Sequence, residues 1–185
     1  MYVLPKRVLL LTGNPGVGKT TVLMKTVNAL KERGIRVGGM ISCEAREGKA
    51  RVGFEILDLT SSRCGWLAHI NQKNGPQVGK YRVNIEDLNA IGAQAITDAV
   101  EKCEVIAIDE IGPMELFSEK FKEAVRKALE SRKLVLAVVH WKAQDTLINE
   151  AKKREDAETI TVTKENREKL HKQITEKALK VLPEP

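Results

Sequence analysis

The chain has 185 residues, enough for one domain with a sizeable core, so it needs no disulfides or structural metal to fold. It lacks an apolar run of the ~18 residues that a membrane span requires, and its first residues show no signal-peptide pattern, so we expect a cytoplasmic protein with no membrane partner. The widely spaced Cys43, Cys64 and Cys103 indicate neither zinc nor redox chemistry. A net charge of +6 makes nucleic acid a possible partner without indicating one, and the oligomeric state is left open.

The first half of the chain predicts strands and one helix. The apolar run 7–12 predicts a buried strand, and apolar residues at helical spacing predict a helix over 19–33. A strand follows at 37–43, and the next segment predicts a hairpin that turns at 47–49. Short strand-like pieces continue to residue 83, so we expect a β-rich region over about 44–83, either an antiparallel insertion or an extended sheet edge.

The second half alternates helices with strands. Strands are predicted at 105–109, 134–140 and 158–163, and helices at 85–102, 119–132, 143–153 and after Thr163. Asn84, Ser118 and Thr163 are the expected N-caps. This order predicts an α/β fold over residues 1–185 as a single domain. Its sheet is mainly parallel, with helices on both faces, a small antiparallel insertion and ligands at the carboxyl ends of its strands.

A glycine-rich segment between the first strand and the first helix predicts a phosphate site. It fits the pattern G-x-x-x-x-G-K-T and consists of Gly13, Asn14, Pro15, Gly16, Val17, Gly18, Lys19 and Thr20. Such a turn aims successive backbone N–H groups at one phosphate chain. We expect the Lys19 ammonium to reach the β and γ phosphates and the Thr20 hydroxyl to coordinate Mg²⁺. The alternative is a glycine turn before an ordinary helix.

Two adjacent acids end the second buried strand, in the sequence "VIAIDEIG". Asp109 is placed where a carboxylate can hold Mg²⁺, and Glu110 is expected to leave the strand toward the same crevice. A carboxylate there can orient or deprotonate an attacking water. We therefore assign Asp109 and Thr20 to the metal, and Glu110 and Lys19 to catalysis. The alternative is that both acids merely start a turn.

Several other polar residues are weaker candidates. His140 ends another buried strand, where it either positions water or senses the γ phosphate, or is simply exposed. The turn that contains Lys164, Asn166 and Arg167 either touches the base or sugar or only caps the last helix. The candidates for a charge-stabilising arginine are Arg46, Arg51, Arg126 and Arg154.

The chain resembles the bacterial and archaeal nucleoside-triphosphatases related to cancer-related nucleoside triphosphatase. The resemblance rests on "TGNPGVGKTT", "RVGFEILDL", "VGKYRVN", "VIAIDEIGPMELFS" and "VTKENR", which span residues 12–167 in this order. The combination of "DEIG.MELFS" with "T.ENR" is more specific than the phosphate loop. The sequence differs from the family at Cys43, where an acid is frequent, and at Trp141, where a basic residue is common.

The resemblance implies a P-loop fold and Mg²⁺-dependent hydrolysis of ATP, GTP, CTP, UTP and TTP to the diphosphate. It also implies a second nucleotide-binding segment, made of Val105, Ile106, Ala107, Ile108, Asp109, Glu110, Ile111 and Gly112. Two alternatives stay open. One is a kinase that passes the γ phosphate to a small molecule or a nucleic-acid end, with an acceptor pocket built from 44–83. The other is a nucleotide-gated binding module.

Overall fold

One nine-stranded mixed sheet organises the protein in the computed structural model, which describes residues 5–182. The strands are β1 (Val8–Thr12), β2 (Val37–Glu47), β3 (Ala50–Asp58), β4 (Cys64–His69), β5 (Gln77–Val78), β6 (Tyr81–Val83), β7 (Val105–Ile111), β8 (Leu134–Val139) and β9 (Ala157–Thr161). Their order is β5-β6-β4-β3-β2-β7-β8-β1-β9. Strands β2, β7, β8, β1 and β9 pair in parallel, whereas β3 to β6 extend the sheet antiparallel beyond β2.

Helices cover both faces of this sheet. They are α1 (Lys19–Lys31), α2 (Ile85–Asp87), a π-helical segment (Leu88–Ala93), α3 (Gln94–Lys102), a 3₁₀ turn (Glu115–Phe117), α4 (Glu119–Glu130), α5 (Thr146–Lys153) and α6 (Arg167–Val181). None of the helices within residues 5–182 is both long enough and apolar enough to cross a membrane.

Alternating side chains of the parallel strands pack into two separate hydrophobic cores, one on each face of the sheet. Leu9 and Leu11 of β1 pack with α1 and α6 on one face, whereas Val8 and Leu10 pack with α3, α4 and α5 on the other. Successive side chains of a strand point to opposite faces, so an unbroken apolar run fits a strand that is covered on both sides. The predicted fold class, a mainly parallel sheet with helices on both faces, is therefore confirmed.

Two of the three predicted N-caps accept the expected hydrogen bond from the first turn of their helix. The Asn84 side chain accepts a hydrogen bond from the Asp87 backbone N–H at 3.1 Å, and Ser118 Oγ accepts one from the Phe121 N–H at 2.9 Å. Thr163 Oγ1 accepts from the Asn166 N–H at 3.3 Å, but α6 begins only at Arg167, with Asn166 as its N-cap. Thr163 therefore closes the turn before the helix rather than the helix itself.

Several predicted boundaries are wrong. Strand β7 continues through Asp109 and Glu110 to Ile111, because Ile111 pairs with Val139 of β8 after a register irregularity. Strand β9 covers Ala157–Thr161, helix α4 ends at Glu130, and α5 begins only at Thr146 behind its cap, Asp145.

Region 44–83 is an extended edge of the main sheet, and its hairpin turns between Glu47 and Ala50 as predicted. The expectation about a signal peptide concerns the chain start, where residues 1–4 lie outside the described residues.

Candidate active site

The phosphate loop connects β1 to α1 and has a backbone that requires glycine. Gly18, the N-cap of α1, has φ +107°, a left-handed conformation that strains other residues. Gly13 has φ +149°, and a Cβ there would lie 2.5 Å from the Val162 carbonyl oxygen. The loop is therefore held tightly between its own helix and the segment after β9.

The N-terminus of α1 is open to an anion. No side chain caps it, and its first turn contains no acidic residue. The first backbone N–H groups of a helix have no intrahelical partner and attract negative charge. Lys19 Nζ donates to the carbonyl oxygens of Gly13 at 3.0 Å and Asn14 at 3.1 Å, which holds its ammonium against the loop.

A cavity of about 440 Å³, called here the phosphate-loop cavity, joins the loop to the ends of the strands. Its lining residues are Pro15, Gly16, Gly18, Lys19, Thr20, Ser42, Glu44, Phe54, Leu67, Val78, Asp109, Glu110, Pro113, Met114, Glu115, His140 and Trp141. The structure thus brings together the four residues that we assigned to metal binding or catalysis, namely Lys19, Thr20, Asp109 and Glu110. It also adds side chains from the antiparallel half of the sheet.

Asp109 fits the requirements of a metal ligand. It is only 1% exposed, and its Oδ2 atom finds no hydrogen-bond partner among residues 5–182. Burial raises its pKa to about 7, helped by the charge of Glu110 and opposed by Thr20 and Lys19. Within the described part of the chain, three or more His, Cys, Asp or Glu side chains nowhere gather into a metal cage. One buried carboxylate beside a hydroxyl instead suits Mg²⁺, which takes its other ligands from phosphates and water.

Two glutamates lie close to Asp109. Burial raises the pKa of Glu110 above its usual value, although the charge of Lys19 opposes this. Burial also raises the pKa of Glu115 to about 8, with a further contribution from the charge of Glu110. Glu110 is half-buried at the cavity wall, whereas Glu115 is only 4% exposed. Glu110 is thus the carboxylate that is both accessible and more basic than a solvated one.

His140 lines the cavity at the end of β8, and its ring also closes a turn. Nδ1 accepts hydrogen bonds from the backbone N–H groups of Ala143 at 3.0 Å and Lys142 at 3.3 Å. A nitrogen that accepts carries no proton, so the proton of the neutral ring is assigned to Nε2. His140 is therefore half-buried at the cavity wall rather than simply exposed, and its role in the reaction stays a prediction.

The candidate arginines are mostly engaged elsewhere. Arg46 and Arg51 both contact the Glu44 carboxylate at 2.8 Å, and Arg154 contacts Asp156 at 2.8 Å. None of the arginines in the described chain lines the phosphate-loop cavity.

The turn after β9 approaches the other side of the phosphate loop. Arg167 donates to the Val17 carbonyl oxygen at 3.3 Å, and Asn166 Nδ2 donates to the Thr161 carbonyl oxygen at 2.9 Å. An open groove of about 790 Å³ runs between this turn and the loop, and Lys164 lines it. We call it the outer groove. Of the predicted loop residues, Gly13, Asn14 and Val17 line this groove and not the phosphate-loop cavity.

Only part of the second predicted nucleotide-binding segment lines the phosphate-loop cavity. Val105, Ile106, Ala107, Ile108 and Ile111 are completely buried in β7 and do not line the cavity, and neither does Gly112. Sequence reasoning missed Glu115 and the apolar wall of Phe54, Leu67 and Val78. The only signal for Glu115 was an acid within the apolar "PMELF", and the wall carried no local signal.

These features define the class of the protein. A mainly parallel sheet, a G-x-x-x-x-G-K-T loop between β1 and α1, and an acid near the end of β7 together make a P-loop α/β protein of the nucleotide-binding type.

Within this class, the chain belongs to the family described as NTPase, whose model matches residues 8–175. It is 48% identical over 166 residues to nucleoside-triphosphatase THEP1 of Thermofilum pendens, which covers 89% of this chain and 91% of that protein. The protein of the same name from Methanosarcina acetivorans is 45% identical over 172 residues, 92% of this chain and 96% of that protein.

Two solved structures confirm the predicted P-loop fold. The crystal structure of THEP1 from Aquifex aeolicus has a TM-score of 0.79 and 29% identity, covering 90% of this chain and 96% of that one. The solution structure of a human cancer-related nucleoside triphosphatase has a TM-score of 0.78 and 34% identity, covering 92% of this chain and 96% of that one.

Proposed function

We propose that this protein hydrolyses nucleoside triphosphates to the diphosphate and phosphate in a Mg²⁺-dependent reaction. The observation that carries the proposal is the single cavity in which Lys19 and Thr20 face Asp109 and Glu110. The names of the relatives, nucleoside-triphosphatase, favour hydrolysis over a kinase or a binding module as the primary reaction. We also propose that the chain forms one domain, because a single sheet contains both its parallel and antiparallel strands.

The loop and the start of α1 bind the phosphates. Backbone N–H groups at the uncapped helix N-terminus donate to phosphate oxygens. The Lys19 ammonium exchanges its contacts with the Gly13 and Asn14 carbonyl oxygens for the β and γ phosphates. Because charge moves from the γ phosphoryl group to the leaving diphosphate during the reaction, a fixed cation at this point stabilises the transition state.

Thr20 and Asp109 would hold the metal ion. The ion would supply positive charge that neutralises the phosphates. Asp109 is suited to this role because its unpartnered Oδ2 is costly to leave buried without a cation or proton. Thr20 contributes the neighbouring hydroxyl oxygen.

Glu110 acts as the general base for the attacking water. Its carboxylate reaches the cavity, and its raised pKa makes it a stronger proton acceptor than a solvated glutamate. Glu110 therefore takes a proton from the water as the water attacks the γ phosphorus. His140, on the same cavity wall, would orient that water through its Nε2–H.

The nucleoside would lie toward the outer groove, beside Lys164 and the turn after β9. Strong discrimination between bases needs buried donors and acceptors that go unpaired with the wrong base. The groove is instead open, so we expect ATP, GTP, CTP, UTP and TTP all to react.

The test is phosphate release from each of the five nucleotides, with Mg²⁺ and no added acceptor. We expect many turnovers per protein molecule and kcat/KM values that differ by less than about 10⁴-fold between bases. Lys19→Ala serves as the inactive control for contaminating phosphatases. Release of at most one phosphate per protein molecule would overturn the proposal in favour of a binding module.

A further inference from the structure

The lining of the phosphate-loop cavity includes apolar side chains that have no role in binding phosphate or metal. These are the side chains of Phe54, Leu67, Val78 and Met114, and the part of the cavity that they line is called here the apolar chamber. The whole cavity, including the phosphate site, measures about 440 Å³, within the range of about 300–1,000 Å³ that small-molecule sites span. Its size and mixed lining are those of a small-molecule site, in which apolar walls surround a few polar groups.

The chamber wall is held in place by neighbouring contacts. The rings of Phe54 and Tyr81 pack edge to face at 5.2 Å, and the Arg51 guanidinium lies 5.0 Å from the Phe54 ring centre. Arg51 also donates to Tyr81 Oη at 2.9 Å and to Glu44 at 2.8 Å. A wall fixed in this way loses little side-chain entropy when a ligand packs against it.

The charged groups around the chamber restrict which net charge a bound ligand can carry. Among the described lining residues, Lys19 is the only lysine or arginine, and it lies at the phosphate loop. Glu44 is already paired with Arg46 and Arg51. The other acidic groups at the cavity are Asp109, Glu110, Glu115 and the bound triphosphate. An anionic ligand would be repelled here and find no cation, whereas a neutral or cationic one would not.

We propose that the apolar chamber binds a small, neutral or cationic organic alcohol with an apolar body, and that its hydroxyl accepts the γ phosphoryl group in place of water. The proposal rests on the hydrolysis proposed above. The alcohol oxygen forms a bond to the γ phosphorus as its proton passes to Glu110. The bond from the γ phosphorus to the bridging oxygen breaks, and the diphosphate leaves with the electron pair. The products are a phosphate monoester, the nucleoside diphosphate and one proton.

Three probes of matched shape test both the transfer and the role of charge. They are benzyl alcohol, 4-(aminomethyl)benzyl alcohol and 4-(hydroxymethyl)benzoate, each added at millimolar concentration with Mg²⁺ and ATP labelled at the γ phosphate. Labelled ester and labelled phosphate are separated and counted in the same sample. For the neutral and cationic probes, we expect at least ~10-fold more ester than the molar ratio of alcohol to water predicts, because bound reactants are held in position. The benzoate should give no excess.

A pair of variants on the antiparallel half of the sheet locates the site. Val78→Asp places a negative charge in the chamber and should lower the ratio of ester to phosphate at least ~10-fold. Ile70→Asp is the matched control, because Ile70 is 39% exposed and does not line the cavity. It should leave the ratio unchanged. Because the ratio is internal to each sample, partial unfolding of a variant does not alter it.

Each result decides one of the two proposals. Hydrolysis without excess ester from any probe would overturn the acceptor site and leave the hydrolase intact. Excess ester from the benzoate, or an equal ratio in both variants, would also overturn it. A folded protein that makes neither ester nor phosphate would overturn the proposed function itself.

Discussion

Replacing Glu110 by glutamine removes the proposed proton acceptor and little else. Glutamine has the size and shape of glutamate, so the walls of the phosphate-loop cavity and the contacts of Lys19 with the loop should persist. The substitution also removes a negative charge near Lys19 and the phosphates. Nucleotide affinity should therefore stay the same or rise slightly.

The size of the effect follows from the environment of the carboxylate. Glu110 is half-buried, and burial raises its pKa, so it accepts a proton more readily than a solvated carboxylate at neutral pH. Positioned general bases are worth about 10²–10⁴-fold in rate, which corresponds to about 3–5 kcal/mol of activation free energy. The loss should appear in kcat, with nucleotide affinity changed by less than about tenfold.

The assay combines nucleotide affinity with single-turnover hydrolysis across a Mg²⁺ series. Glu101→Gln is the matched control, because Glu101 is exposed on α3 and lies outside the cavity. If the Glu110→Gln protein hydrolyses at the wild-type rate, Glu110 is not the base, and His140 becomes the next candidate. If hydrolysis and affinity fall together, Glu110 contributes to binding rather than to proton transfer.

Five other substitutions test the site and the fold. Lys19→Ala should weaken nucleotide binding by about 10–100-fold, the value of a charge-assisted contact, and a folded variant that binds normally in a titration would contradict this. Asp109→Asn should raise the Mg²⁺ concentration needed for half-maximal rate at least ~10-fold, which an unshifted Mg²⁺ titration would exclude. Phe121→Ala should cost about 3–5 kcal/mol of unfolding free energy in urea, because Phe121 is fully buried. Phe117→Ala, at a residue that is 50% exposed, should cost less than about 0.5 kcal/mol, and equal costs would refute the assigned core. For Asp156, partial burial raises the pKa, but the hydrogen bond from Arg154 and the charge of Arg7 lower it overall. Its stabilising contribution is therefore complete above the unfolded pKa of ~4 and is lost as the pH falls through the folded pKa. Asp156→Asn should flatten the loss of unfolding free energy below pH ~4.

The amino-acid sequence by itself determined the elements whose cause is local. An apolar run is sufficient to predict a buried strand, and a glycine-rich turn before a helix is sufficient to predict an anion site. Ser118 and Asn84 were recognisable as caps because each bonds a backbone N–H only three residues away. The phosphate loop and the acids Asp109 and Glu110 were found in the same way.

The tertiary structure alone decided what surrounds that machinery. Arg51 and Tyr81 are 30 residues apart in sequence and share a hydrogen bond, and Val78 lines the same cavity as Gly16. The length of β7 beyond Asp109 depended on its pairing with β8. Burial is a property of the assembled chain, so the raised pKa values of Asp109 and Glu115 and the apolar chamber arise only when distant strands enclose them. Local patterns carry no information about these contacts, because each one is set by which segments the folded sheet brings together.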